Sequence, residues 1–182
     1  MRPTVTLRRA GADDAPEIAD IWHLGWRDGH LGFVPPELVA ARDEASFRTR
    51  AARRVGDTTV AVVDGKVAGF VMVARDEVEQ VYVAAAHRGT GVADALLTEA
   101  ERQVARGGHA TAWLAVVAGN ARARRFYERR GWSDAGPFTY AAAGEDGPMQ
   151  VPAHRYEKPL APLPGPGPER RTPHPRPPAE GP

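Results

Sequence analysis

The chain has 182 residues, a length that suits a single domain with a core large enough to fold unaided. Its formal net charge of +1 provides no overall field that would favour nucleic acid or an anionic membrane. Cysteine is absent, which excludes disulfides, cysteine metal ligands and a cysteine nucleophile.

The first third predicts a short strand followed by two helices. The strand covers residues 5–8. Asp13 or Asp14 is a suitable N-cap for the first helix, whose inward residues follow at helical spacing: Ile18, Ile21, Trp22 and Gly25. A loop is predicted over residues 29–36, and a second helix over about 44–54.

The middle of the chain predicts a β-hairpin and a further strand. Apolar runs at 58–63 and 66–73 flank Asp64-Gly65, a dipeptide that accepts the positive backbone angles of a two-residue turn. The next strand is predicted over residues 77–83.

A strand–helix–strand crossover follows. The helix is predicted from about 90 to 105, with apolar residues on one face: Val92, Leu96, Ala100 and Val104. Residues 111–117 form a continuous apolar run, typical of a central strand covered on both faces. Such a crossover predicts that this strand lies parallel to the strand at 77–83.

The last folded part is predicted as a helix and two strands. The helix covers residues 121–130 and ends at Gly131, and the strands cover 132–140 and 149–156. Residues 161–182 are rich in proline and predict a disordered tail, so the folded domain is expected to span 1–160.

The turn before the crossover helix predicts a site for a phosphate-bearing ligand, because backbone N–H groups collect there at a positive helix end. Its spacing fits neither familiar nucleotide loop. No lysine follows Gly91 as a P-loop requires, and Asp94 stands where the dinucleotide fingerprint needs its third glycine. The remaining pattern, Arg88-x-x-Gly91-x-Ala93, indicates the diphosphate of coenzyme A.

Two motifs in order resemble those of the GCN5-related N-acetyltransferase family. The first is Tyr82-Val83…Arg88-x-x-Gly91-x-Ala93, and the second is Asn120-x-x-Ala123-x-x-Phe126-Tyr127-x-x-x-Gly131-Trp132. The resemblance covers roughly residues 4–159. It implies an α/β fold with a mixed central sheet, mostly antiparallel, with a parallel splayed strand pair and helices on both faces.

The resemblance also implies acetyl-CoA as cosubstrate. Backbone groups of the strand at 81–83 would pair with the pantetheine arm, and the turn would hold the diphosphate. Asn120 would lie near the pantetheine arm, although an asparagine there also suits a helix N-cap. The implied coenzyme-binding residues are Val81, Tyr82, Val83, Arg88, Gly89, Thr90, Gly91, Val92, Ala93 and Asn120.

The implied catalytic groups are one phenol and two carboxylates. Tyr127 resembles the tyrosine that protonates the departing thiolate, which its neighbour Phe126 could not do. Glu77 and Glu79 are both candidates for the general base. They project to one face of a strand unless a bulge intervenes, and Glu77 is favoured slightly.

The first helix and its following loop would form the acceptor pocket, which places Trp26, His30 and Phe33 among the substrate-binding residues. His30 stands where many members have tyrosine. Trp22 and Trp26 lie four residues apart, so both also suit the core of the domain.

These observations predict transfer of an acetyl group to a primary amine by direct attack in a ternary complex, with a small-molecule or peptide acceptor. The alternative is a non-catalytic acyl-CoA sensor or interaction protein on the same fold. No metal site, nucleic-acid partner or membrane span is predicted, and the chain is expected to be cytoplasmic. A homodimer is left open. The arginines of the last helix are interpreted as a solvated face, with one or two near the coenzyme's 3′-phosphate: Arg122, Arg124, Arg125, Arg129 and Arg130.

Overall fold

The computed structural model describes residues 4–144 and 146–162. The proline-rich tail predicted over 161–182 therefore lies outside the described residues, apart from its first two positions.

The described residues form seven strands and five α-helices. The strands are β1 (Thr6–Arg9), β2 (Thr58–Val63), β3 (Lys66–Ala74), β4 (Glu77–Val83), β5 (Thr111–Val117), β6 (Ser133–Ala142) and β7 (Met149–Pro159). The helices are α1 (Ala15–His30), α2 (Pro36–Ala41), α3 (Glu44–Arg54), α4 (Val92–Arg106) and α5 (Ala121–Arg129).

All seven strands belong to one sheet in the order β1-β2-β3-β4-β5-β7-β6. Every neighbouring pair is antiparallel except β4 and β5, which are parallel. The predicted mixed sheet with its one parallel pair is confirmed. So is the hairpin turn, since Asp64 and Gly65 have φ angles of 51° and 77°.

Each face of the sheet carries its own core. On one face α4 buries the four residues that its spacing predicted, all at 0% exposure: Val92, Leu96, Ala100 and Val104. On the other face α1 and α3 pack Trp22 and Phe47 against Phe70 of β3. The helices therefore cover both faces of the sheet, as predicted.

Two helix boundaries differ from the sequence-based expectation. α1 continues to His30 through part of the predicted loop, and the short helix α2 follows that loop. The crossover helix begins at Val92 rather than at 90, because Gly91 adopts a left-handed conformation at its N-cap, with φ 96°. The residues before it form the turn that matters for the site.

Two glycines of α1 allow it to lie directly on the sheet. A Cβ on Gly25 would come within 2.5 Å of Cδ1 of Tyr82, and one on Gly29 within 2.9 Å of Nδ2 of Asn120. Gly25 and Gly29 are one turn apart, so the same stripe of the helix approaches β4 and the start of α5. Glycine in mid-helix, normally unfavourable, is required here by close packing.

We expect Gly25→Ala to lower the free energy of unfolding by a net of about 1–2 kcal/mol, because overpacking against the Tyr82 ring outweighs the better helix propensity of alanine. Gly56→Ala is the matched control, since a Cβ there meets no atom within 4 Å and φ is not positive. Urea denaturation of both variants measures the difference. Equal stability of the two variants would contradict the packing argument.

Candidate active site

The parallel strands β4 and β5 separate almost as soon as they meet. Their register contains one pair, Glu77 with Trp113, supported by a 3.0 Å hydrogen bond from the Trp113 N–H to the Asp76 carbonyl oxygen. On its other side β5 pairs with β7 over seven positions, from Thr111 to Val117. Beyond Glu77, the edge of β4 that faces β5 is therefore open.

This separation opens a cleft of about 870 Å³. Its walls include β4, β5, the face of α1 that packs on the sheet, and α5. One end of the cleft reaches the turn before α4. A cavity of this size is typical of sites for small molecules and cofactors.

The end of the cleft near α4 is rich in backbone N–H groups. Gly89 and Gly91 have φ angles of 76° and 96°, and a Cβ on either would meet no protein atom within 4 Å. No side chain caps the N-terminus of α4. The first N–H groups of this helix have no partner within the helix, so the turn presents donors and a positive helix end to open space.

Two ion pairs fix the borders of this turn. Arg88 meets Asp28 of α1 at 2.6 Å, and Arg130 at the end of α5 pairs with Asp94 in the first turn of α4. The Thr90 hydroxyl donates to the His87 carbonyl oxygen at 2.6 Å and closes the turn on itself. Neither Thr90 nor Val92 is among the cleft-lining residues, and the Val92 side chain lies fully in the core.

Asn120 lies between α1 and α5. Its Oδ1 accepts from the Ala123 N–H at 3.1 Å, so the N-cap role that the sequence suggested is present. Its amide nitrogen faces Gly29, and the residue also lines the cleft. Capping and lining are thus compatible at this position.

Tyr127 of α5 lines the cleft. Its ring packs against Phe126, Trp132 and Tyr156, with ring centres 5.3, 6.1 and 6.3 Å away. Burial raises the pKa of Tyr127 to about 12. The phenol therefore keeps its proton at neutral pH and can act as a proton donor.

A β-bulge sits in β4 at Glu79. Met72 of β3 faces Gln80 and Val73 faces Val78, so Glu79 is the extra residue. As a result Val78 and Val81, three positions apart, contact the same core. Glu77 and Glu79 both still line the cleft.

The two glutamates have different partners. Glu77 accepts a hydrogen bond from the Tyr140 hydroxyl at 2.9 Å, and burial raises its pKa despite that bond. Glu79 forms a 2.6 Å ion pair with Arg54 of α3. Glu77 is therefore the carboxylate whose surroundings favour the uptake of a proton.

The side of the cleft under α1 contains two of the three predicted acceptor residues. The ring of His30 stacks on Trp26 with centres 4.7 Å apart and planes 7° apart, and its Nδ1–H donates to the Trp26 carbonyl oxygen at 2.9 Å. Burial lowers the pKa of His30, which favours the neutral ring. Phe33 lies elsewhere: it is 50% exposed, packs over Gly119 and does not line the cleft.

The sequence did not point to four other polar residues of the cleft, which are Arg42, Arg50, Arg54 and Tyr140. The spacing of Arg50 and Arg54 with Phe47 and Ala51 places them on or beside the inward face of α3, and this was the available signal. No comparable pattern in the sequence indicated that Tyr140 would line the cleft.

Among residues 4–144 and 146–162 no group of three or more His, Asp or Glu side chains is arranged to hold a metal ion. In the same ranges no helix has both the length and the apolar character needed to cross a membrane.

Several solved structures share this fold. A GCN5-related N-acetyltransferase from Rhodopseudomonas palustris superposes with a TM-score of 0.65 at 22% identity, over 88% of this chain and 97% of that one. YncA from Salmonella typhimurium, solved with its cofactor acetyl-CoA, gives 0.63 at 19% identity, over 90% and 98%. PaiA N-acetyltransferase from Thermoplasma acidophilum, solved with coenzyme A, gives 0.61 at 16%, over 86% and 99%.

Sequence comparison gives the family. Uncharacterized N-acetyltransferases of Mycobacterium tuberculosis and Mycobacterium bovis are 31% identical over 117 residues, which is 59% of this chain and 75% of each relative. The family profile described as "Acetyltransferase (GNAT) family" matches residues 18–132, from the first turn of α1 to the end of the second motif. The chain therefore belongs to the GNAT family of acetyltransferases.

Proposed function

We propose that this protein is an N-acetyltransferase that moves the acetyl group of acetyl-CoA to a primary amine by direct attack in a ternary complex. The observation that carries the proposal is the cleft between β4 and β5. It joins the N–H-rich turn at one end to Glu77 and Tyr127, and both belong to one continuous cavity.

Acetyl-CoA is the cosubstrate that family membership supports. The turn from Arg88 to Ala93 would hold the diphosphate through backbone N–H groups and the positive end of α4. The open edge of β4 at 81–83 would pair with the amide groups of the pantetheine arm, like an added strand. Asn120 borders the same channel.

The transfer needs three proton movements. A carboxylate first takes a proton from the ammonium group of the acceptor, and the neutral amine attacks the thioester carbonyl carbon. The C–N bond forms, the C–S bond breaks, and the thiolate of coenzyme A takes a proton from a donor. The nitrogen gives up its second proton, which restores that donor. The chain contains no cysteine that could carry the acetyl group, which favours direct transfer.

Glu77 is proposed as the base and Tyr127 as the acid. Burial raises the pKa of Glu77 toward a range in which it can accept a proton, whereas Glu79 is engaged by Arg54. The phenol of Tyr127 is protonated at neutral pH and lines the cleft. Glu79 is retained as a second carboxylate of the site, acting through Arg54.

We expect Gly91→Ala to weaken acetyl-CoA binding at least about tenfold by calorimetry, because a Cβ would enter the space where the diphosphate must approach the backbone. Gly108→Ala is the matched control at the other end of α4. Its φ is 85° and its surroundings are equally open, so it shares the backbone strain but not the site. Equal loss of binding in both variants would mean that strain alone is responsible.

The same titration tests the proposed function itself. Failure of the wild-type protein to bind acetyl-CoA at high micromolar concentration would contradict it. Binding without release of coenzyme A in the presence of any primary amine would favour the alternative, a non-catalytic acyl-CoA-binding protein.

We expect Tyr127→Phe to lower kcat by about 100-fold or more while acetyl-CoA binding changes little, because the phenol proton is needed only when the thiolate leaves. Tyr156→Phe is the matched control, since Tyr156 is a buried tyrosine outside the cleft. Steady-state kinetics with free thiol as the readout separates the two. Unchanged kcat in Tyr127→Phe would remove the acid assignment alone.

We expect kcat/KM to fall as the pH drops through the pKa of Glu77, which lies above the ordinary glutamate value of 4.5, because the base must be unprotonated. Glu77→Gln should remove this acidic limb and lower kcat by about 100-fold or more. Glu79→Gln should keep the limb, although its overall rate can fall through the loss of the Arg54 pair. If Glu79→Gln alone loses the limb, Glu79 is the base.

A further inference from the structure

The acceptor end of the cleft carries an excess of buried positive charge. Arg42, at the end of α2, and Arg50 and Arg54, one turn apart on α3, all line the cavity. They lie toward Glu77, Glu79 and the β6–β7 hairpin. The N–H-rich turn lies beyond the other end of β4, so the coenzyme phosphates cannot account for these arginines.

Arg54 is fully matched by acidic partners. Its guanidinium meets Glu79 at 2.6 Å and Asp57 at 3.0 Å. The carboxylate of Glu79, which also lines the cleft, is thereby occupied by Arg54. Glu77 is held by Tyr140, and burial favours its neutral form.

Arg50 has no such partner. Among the described residues no carboxylate lies within ion-pair distance of it, and its Nε is buried without a hydrogen bond. Its guanidinium lies over the Trp22 ring, 5.1 Å from the ring centre. The indole face fixes the orientation of the guanidinium but leaves its N–H donors unused.

Arg42 is more deeply buried, with 7% of its surface exposed. Within the described part of the chain its recorded hydrogen bond goes to the carbonyl oxygen of Ala143, a neutral group. Burial, together with the nearby charge of Arg50, lowers the pKa of Arg42 to about 10. Both guanidinium groups also act electrostatically on the Tyr82 hydroxyl, so they converge on one part of the cleft.

Arg42 is buried and Arg50 is half-buried, and neither has a paired carboxylate among the described residues. This arrangement is unfavourable, because arginine keeps its charge and loses hydration. A ligand carboxylate would offset both charges and could accept from the unused donors in the planar, two-bond geometry that guanidinium favours. The donors lie in the same cavity as Glu77, where the acceptor amine must arrive.

We propose that the acceptor is an amino acid-like molecule whose carboxylate is bound by Arg42 and Arg50 while its amine faces Glu77. The inference rests on the proposed function, since it names the class of amine that the acetyl group reaches. It predicts that free amino acids and their analogues are better acceptors than amines without a carboxylate. It makes the same prediction against amino acids whose carboxylate is blocked as an amide.

The test compares each standard amino acid with its α-amide and with the amine that lacks the α-carboxylate, leaving out cysteine, whose own thiol would react with the reagent, and proline, which is a secondary amine. Release of coenzyme A thiol is followed with a thiol reagent, and the cysteine-free chain adds no background. We expect kcat/KM for the best acid to exceed that of its amide at least about tenfold. Amidation lowers the pKa of the amine and increases its neutral fraction, so amine reactivity alone predicts the opposite preference.

Variants of Arg50 locate the carboxylate. Arg50→Gln should bring the acid-to-amide ratio to about one, and Arg50→Lys should retain part of it, because the charge remains while the two-bond geometry is lost. Arg53→Gln is the matched control, an exposed arginine of the same helix, and should keep the wild-type ratio. Thermal melting of each variant checks that it is folded. The acid-to-amide ratio of the wild-type protein tests the proposal even if a variant fails to fold.

The outcomes separate the two proposals. Equal or faster turnover of amides and decarboxylated amines would overturn the carboxylate site and leave the acetyltransferase intact. Bound acetyl-CoA with no turnover of any acid, amide or amine would overturn the proposed function. A wild-type preference for the acid that survives in Arg50→Gln would overturn the assignment to Arg50.

Discussion

The separation of β4 from β5 is the constraint on which the candidate site depends. A single register pair at Glu77 and Trp113 holds the strands together, and beyond it the sheet gives up the hydrogen bonds that a continuous ladder would form. Backbone groups left open at such an edge are unfavourable unless water or a ligand satisfies them. The bulge at Glu79 occurs close to this branching point, and Glu77 and Glu79 both line the cleft in its presence. The separation thus creates a channel and a backbone edge for a ligand, with two carboxylates beside them.

Burial then gives similar groups different chemistry. Glu77 and Glu79 are two residues apart, yet one accepts from a neutral phenol and the other meets a guanidinium. The first environment raises the pKa of the carboxyl group, whereas the second compensates its charge. The arginines divide in the same way, since Arg54 is paired and Arg50 faces an aromatic ring. Residue type alone does not assign these roles; the degree of burial and the neighbouring partner do.

The sequence was most informative where function requires particular backbone geometry. The glycines before α4, the Asn120 cap and the apolar spacing of α4 are local features, and the structure contains each of them. Other features depend on tertiary contacts. The bulge at Glu79 shows in the sequence only as a break in alternation between Val78 and Val81, and the pairing with β3 is needed to locate it. The presence of glycine at position 25 in α1 is explained only by the Tyr82 ring that packs against it. Phe33 belongs to the segment that resembles an acceptor loop, yet its ring covers Gly119 outside the cleft. Arg42 and Tyr140 reach the cavity from elements far apart in sequence.

This division explains why the donor could be inferred from sequence and the acceptor could not. The proposed coenzyme end of the cleft presents backbone N–H groups and a helix terminus, so its requirement is glycine at defined positions, which a short motif records. The proposed acceptor end is lined by side chains from α1, α2, α3 and β6, and which of them are paired would determine its selectivity. A carboxyl group supplied by the acceptor would complete the charge balance that Arg42 and Arg50 lack within the described residues. In that arrangement the substrate is part of the electrostatic structure of the site, and discrimination follows from leaving those donors unsatisfied when the wrong amine enters.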